Sequence, residues 1–164
     1  MLVLGIDPGT ATTGYGLVRE SPDGDLTAVA FGVITTPART PMPDRLLQLH
    51  TDITALIARY RPDAAAIEAL YFGKNVTTAI TVAQGRGVIL LALAQAGLTV
   101  REYKPAEIKQ AIAGYGNADK GQMQEMIRQL LGLDDLPRPD DAADGLGVAI
   151  TDLNASRFER LSAE

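Results

Sequence analysis

The chain has no cysteine, no tryptophan and a single histidine, His50, among its 164 residues. Without thiols there can be no disulfide, thiolate nucleophile, iron–sulfur cluster or thiolate zinc site, so any bound metal must sit on oxygen ligands. One imidazole leaves little room for a serine-histidine-acid hydrolase. His50 falls on the polar side of a helical pattern, and no serine elbow accompanies it. Long apolar runs are scarce as well: the longest uncharged stretch, between Arg86 and Arg101, has 14 residues, short of the ~18 that suggest a membrane span. The opening MLVLGIDPGT carries neither a basic segment nor a small-residue cleavage site, so the expectation is no secretory signal, no membrane and a cytoplasmic location.

What remains is 46% apolar and 21% charged, enough Leu, Val, Ile and Ala to bury a core without metals or disulfides. The length predicts one domain over residues 1–164. Net charge is −5, but the average hides a segregation. Residues 71–120 carry six basic and three acidic side chains, whereas residues 1–70 carry five and eight and residues 132–164 three and eight. All four lysines, Lys74, Lys104, Lys109 and Lys120, fall in the middle block. A positive face can therefore coexist with an acidic whole, although a solvated helix face would look the same.

The pattern predicts strands first and alternation after. Residues 1–7, 14–19 and 26–35 are apolar runs bounded by Gly, Pro and Asp, which fit three antiparallel strands, and the Pro-rich stretch 37–43 reads as a loop. Residues 44–60 repeat Leu46, Leu49, Ile53, Leu56 and Tyr60 at helical spacing, and 64–70 is a buried strand reached through that crossover. A helix over 75–96 contains Gly85 and Gly87, which suggests close approach of another backbone. A strand over 98–103 and short helices from Pro105, from about Asp119 and from about Asp140 complete an α/β layer pattern.

Four carboxylates stand out. Asp7 and Glu68 end apolar strands, where a buried charge is costly unless a cation or donor compensates it. No lysine or arginine lies within two residues of either. Asp141 and Asp144 are three apart at the start of a predicted helix, on one face, where the macrodipole favours ionised groups. Oxygen donors without histidine or cysteine suit Mg²⁺ or Mn²⁺, and paired ions of this kind recur in phosphodiester hydrolysis. Plainer roles compete: a turn residue for Asp7, a cap for Asp141, a surface residue for Asp144 and, if its strand is an edge, a solvated position for Glu68. Asp140 lies beside Asp141 and is also about one helical turn before Asp144.

The segments GIDPGTATTGYGLV, AIEALYFGKN, KQAIAGYG and DDAADGLGVAIT, in this order, resemble the RuvC family of Holliday-junction resolvases over nearly the whole chain. The Asp-Pro-Gly opening alone also resembles the phosphate loop of actin-like ATPases. Such enzymes need two related domains, however, and this length supplies one. A catalytically idle DNA-binding scaffold is the third reading, disfavoured by the uncompensated acids. The RuvC resemblance implies a ribonuclease-H-like α/β fold, a mixed five-stranded sheet with helices on both faces, acting as a homodimer. It further implies an endonuclease that cuts two opposed strands of a four-way junction and leaves 5′-phosphate ends. Two Mg²⁺ per subunit, with Mn²⁺ as substitute, would be held by Asp7, Glu68, Asp141 and Asp144, the catalytic acids. The family's basic residues at the scissile phosphate fall on Lys109 and Lys120. Tyr71 stands where the family usually has phenylalanine, and Phe72, Lys74, Asn75 and Lys104 join it as DNA-binding candidates. Contacts with the branch-migration proteins RuvA and RuvB are implied too.

Overall fold

Alternation of apolar side chains, cut by tight turns, builds the strands. In the computed structural model, which describes residues 1–70 and 76–163, β1 spans Leu2–Asp7, β2 Thr12–Glu20 and β3 Leu26–Thr35. The β2–β3 turn is closed by Ser21 N donating to Asp25 O at 2.9 Å, and Gly24 supplies the left-handed residue it needs, with φ of 91°. β4 (Ala64–Glu68) and β5 (Val100–Tyr103) follow, in the sheet order β3-β2-β1-β4-β5. The pairs β1–β2 and β2–β3 are antiparallel, whereas β1–β4 and β4–β5 are parallel. Parallel neighbours require crossovers, and α1 (Met42–Tyr60) and α2 (Val76–Gln95) provide them.

Both faces of the sheet are covered, as the resemblance implied. On one face Leu4 and Ile6 of β1, Leu17 of β2 and Ile67 of β4 meet Leu49 and Ile53 of α1 and Ile89 and Leu93 of α2. The other receives Val3, Val18 and Ala66 against α3 (Pro105–Ala113), α4 (Lys120–Leu130) and α5 (Asp140–Ser162). β1 therefore sends even-numbered residues to α1 and α2, and its odd-numbered residues face α5.

Three expectations need correction. α1 starts at Met42, inside the stretch read as a loop, because Pro43 lies in the first turn, where a missing N–H costs nothing. The helix from Asp140 is long, not short: α5 runs 23 residues, and the segment after Asp152 is its second half. There Arg101 bonds Ser156 at 2.6 Å and Glu159 at 2.8 Å, and Arg160 reaches the buried Glu20 at 2.6 Å. The two α2 glycines also differ. A Cβ on Gly85 would stand 3.0 Å from Thr10 Oγ1 and 3.5 Å from Thr10 Cα, so the approaching backbone belongs to this chain; a Cβ on Gly87 would meet nothing. By length and hydropathy α2 is apolar enough to cross a membrane, with only Arg86 interrupting it. Arg86 is mostly buried and pairs with Glu102 of β5 at 2.6 Å, and one side of the helix packs in the α1–α2 core.

Candidate metal and nucleic-acid site

Period-two alternation brings the first two acids together. β1 and β4 run parallel with Ile6 opposite Ile67, so Asp7 and Glu68 stand side by side one residue further on. Both project toward α5, because Ile6 and Ile67 are committed to the opposite core. β4 lies between β1 and β5, so Glu68 is not on an edge strand and the plain explanation for it fails.

The other two acids arrive on α5, and a seam of small residues delivers them. A Cβ on Gly14 would overlap the Asp141 carbonyl oxygen, and one on Gly5 the Gly145 carbonyl oxygen. At Gly16 it would stand 2.5 Å from Leu146 N, and at Gly145 2.6 Å from Tyr15 C. The backbone of α5 thus lies directly on β1 and β2, closer than helix and sheet approach when side chains intervene. The oxygens of Asp7, Asp141 and Asp144 consequently lie within 4.8 Å of one another. Glu68 joins this group through its side-chain contact with Asp7, within hydrogen-bond reach when one of the two carboxyls is protonated.

Such crowding alters the acid chemistry. Burial raises the pKa of Asp7, and the hydrogen bond and charge of Glu68 raise it further. Glu68 is also raised, by burial first, with the charge of Asp144 adding to it and Lys109 opposing it. Asp144 is pushed up to about 6 by burial and by the charge of Asp7. α5 begins at Asp140, so only Asp140 and Asp141 lie in its first turn and Asp144 stands in the second, further from the dipole's favourable end. Buried acids that repel one another are costly unless a cation compensates them. The set is oxygen-only and hard, which fits Mg²⁺ or Mn²⁺.

Lysines complete the electrostatics. A cavity of about 250 Å³ is lined by Glu68, Asp144, Lys109 and Lys120 among others, and a smaller one of about 200 Å³ opens onto Asp7 and Glu68. Lys120 Nζ bonds Asp140 Oδ2 at 2.9 Å, while Gln124 Nε2 donates to Asp140 Oδ1 at 2.7 Å. Asp140 is thereby drawn toward α4, and Asp141 is the neighbour that faces Asp7. Lys104 is exposed at the start of α3 and lines neither cavity. Tyr71, Phe72, Lys74 and Asn75 lie outside the described residues. His50 bonds Gln95 at 2.8 Å, so it joins α1 to α2 and not the acids. A larger cavity, about 500 Å³, lies by Met1 and Glu20, at the other end of β1.

Sequence reasoning missed the glycine seam. Its signal is the alternation Gly14, Gly16 on β2 with Gly5 opposite Gly16, a glycine stripe on one sheet face. It also missed the hydroxyls around Thr10, described below.

The family described as "Crossover junction endodeoxyribonuclease RuvC" matches residues 3–152. The chain belongs to the RuvC family. Among its relatives, the crossover junction endodeoxyribonuclease RuvC of Chloroflexus aurantiacus is 63% identical over 92% of this chain and 91% of its own length. That of Heliobacterium modesticaldum is 57% identical over 92% of each. The RuvC structure from Thermus thermophilus superposes with a TM-score of 0.90 at 34% identity, covering 97% of both chains. The same protein solved in complex with a Holliday junction substrate gives 0.88 at 32% identity, covering 96% of both. RuvC membership removes the actin-like reading of the Asp-Pro-Gly turn, and the ribonuclease-H-like mixed sheet is the fold expected from the family resemblance.

Proposed function

We infer that this RuvC-family chain resolves four-way DNA junctions, as a single domain whose residues Asp7, Glu68, Asp141 and Asp144 hold Mg²⁺, two ions per subunit, with Mn²⁺ able to substitute. The observation that carries this reading is the convergence of three carboxylates from β1 and α5 within 4.8 Å, with Glu68 bonded to Asp7. When bound, Mg²⁺ supplies the charge that activates water and stabilises the leaving 3′ oxygen. Cleavage on that side of the phosphorus leaves a 5′-phosphate and a ligatable nick.

The chain's own groups do the rest. The acids must be ionised to act as ligands, so their raised pKa values set a competition between proton and metal. Lys109 and Lys120, from α3 and α4, flank the same cavity and offset negative charge growing on the phosphate oxygens. Phosphate contacts position the DNA without reading its sequence, which suits a substrate recognised by shape. Tyr71 and Phe72 offer stacking faces, and Lys74, Asn75 and Lys104 add polar contacts to the strand.

Paired symmetric cuts call for two sites related by a two-fold axis, hence a homodimer. α2 supports it: Val76, Ile80 and Leu91 expose apolar side chains at 69%, 56% and 53%, and Gly87 leaves room for close contact. RuvA and RuvB are the proposed partners in branch migration, in the cytoplasm. The test is a synthetic four-way junction with Mg²⁺, on which two opposed nicks are expected. An uncut junction, with binding and dimerisation normal, contradicts the reading. Sedimentation at micromolar protein should give a dimer, and a monomer contradicts the α2 interface.

A further inference from the structure

The loop between Asp7 and β2 is pinned by hydroxyl groups. Thr13 Oγ1 donates to Gly9 O at 2.6 Å, Thr36 Oγ1 to Thr10 O at 2.5 Å, and Thr36 N to Ala11 O at 3.0 Å. Three consecutive carbonyls are thus held, and Arg45 Nε steadies the chain of bonds by donating to Thr36 Oγ1 at 3.0 Å. Thr10 is buried, and its own Oγ1 points the other way, donating to the main-chain carbonyl of Thr81 in α2. Gly85, the i+4 residue whose N–H would serve that same carbonyl, has no side chain in the way: a Cβ there would press on Thr10 Oγ1 at 3.0 Å.

We propose that Thr10 is a positioning residue: its hydroxyl fastens the loop that follows Asp7 to the backbone of α2, and so fixes where the Asp7 carboxylate stands. The proposal rests on the junction-cutting reading above. Asp7 needs such an anchor because its neighbours Glu68 and Asp141 are acids that repel it when ionised. Pro8 fixes one backbone angle next to Asp7, and the threonine bonds fix the residues after it. A carboxylate held this way is presented to a cation before the cation arrives, and displacements of about 1 Å from productive geometry cost on the order of a hundredfold in rate. Thr81 O keeps its helix donor when Thr10 loses its hydroxyl, so removing the hydroxyl leaves no orphaned acceptor and little reason to unfold.

The test uses Thr10→Val, which keeps the branched shape without the hydroxyl, Thr10→Ser, which restores it, and Gly85→Ala, which crowds it from the α2 side. Single-turnover cutting of a four-way junction by Thr10→Val should fall about tenfold to a hundredfold with junction affinity unchanged. Mn²⁺ affinity without DNA, followed by electron paramagnetic resonance, should weaken about tenfold. Thr10→Ser should recover cutting to within about threefold of the parent, and Gly85→Ala should lose rate and Mn²⁺ affinity in the same direction as Thr10→Val. If Thr10→Val fails to fold by circular dichroism, Gly85→Ala decides, since it keeps the hydroxyl and favours helix. Parent-like rate and Mn²⁺ affinity in Thr10→Val, or in Gly85→Ala when Thr10→Val is unfolded, overturns the proposal. A parent chain that leaves the junction intact would instead overturn the junction-cutting reading, and the Mn²⁺ comparison would still judge Thr10.

Discussion

The two faces of the sheet are packed by different means. Toward α1 and α2 the contact is made by branched side chains such as Leu4, Ile6, Ile53 and Leu93, which interdigitate and leave helix and sheet apart by a layer of aliphatic groups. Toward α5, glycines at positions 5, 14, 16 and 145 remove that layer and set backbone on backbone. Aliphatic packing tolerates small shifts at modest cost, whereas a glycine seam has no give, because the next atom met is main chain. The rigid face carries Asp7, Glu68, Asp141 and Asp144; among the described residues the aliphatic face carries the supporting core, the Thr10 contact with α2 and the exposed apolar side of that helix. Rigidity is thus placed where four like charges must be held together.

The largest effect that would break this comparison is chemical. Asp7→Asn, Glu68→Gln or Asp144→Asn should each reduce junction cutting by on the order of a thousandfold while leaving junction binding intact, since the positive groups that meet phosphate remain. Equal loss of binding in a gel-shift assay would point to collapse of the seam instead. Gly145→Ala should cost about 3 kcal/mol or more in urea unfolding, because its Cβ would sit 2.6 Å from Tyr15 C. Ile53→Val, equally buried on the other face, should cost about 1 kcal/mol. Similar costs would erase the distinction between the faces.

Smaller effects sharpen it. Lys120→Ala should slow cutting by about thirtyfold, read in single-turnover kinetics, and Asp140→Ala by less than about threefold, because Asp140 bonds Lys120 and Gln124 outside the carboxylate cluster. A pH effect on the metal-free chain tests the same acids without substrate. Asp144 holds its proton up to about 6 when folded, against 3.8 for the ordinary group, so the folded state binds more protons in that window. Metal-free stability should therefore fall as pH rises from about 4 through about 6, by ~2 kcal/mol, and Asp144→Asn should flatten the slope. Mn²⁺ affinity should move the opposite way, tightening as the carboxyl deprotonates. Calorimetric titrations at pH 5 and pH 8 check both signs.

Strand and helix identity was legible because period-two and period-3.6 patterns are local, and the ends were set by Pro8, Pro105 and the Asp119 cap, whose side chain accepts from Gln122 N at 2.9 Å. The length of α5 was not legible. It is buried on nearly every side between Ala142 and Leu153, so its sequence lacks the polar stripe that marks a surface helix. Of the site, Asp7 and Glu68 could be read as neighbours from the crossover, and Glu68 as needing a partner. The choice between Asp140 and Asp141 could not be made from local spacing, since it depends on which side of α5 meets Gly14. Thr10 gave no signal either, because a threonine in a Pro-Gly turn is ordinary until α2 is seen behind it.

The account depends most on the four carboxylates forming one cation site. A crystal of the chain soaked in Mn²⁺, with anomalous scattering to locate the ions, tests this directly. Manganese is predicted among Asp7, Glu68, Asp141 and Asp144, with Asp140 still on Lys120; ions bound elsewhere, with these carboxyls bare, would contradict it.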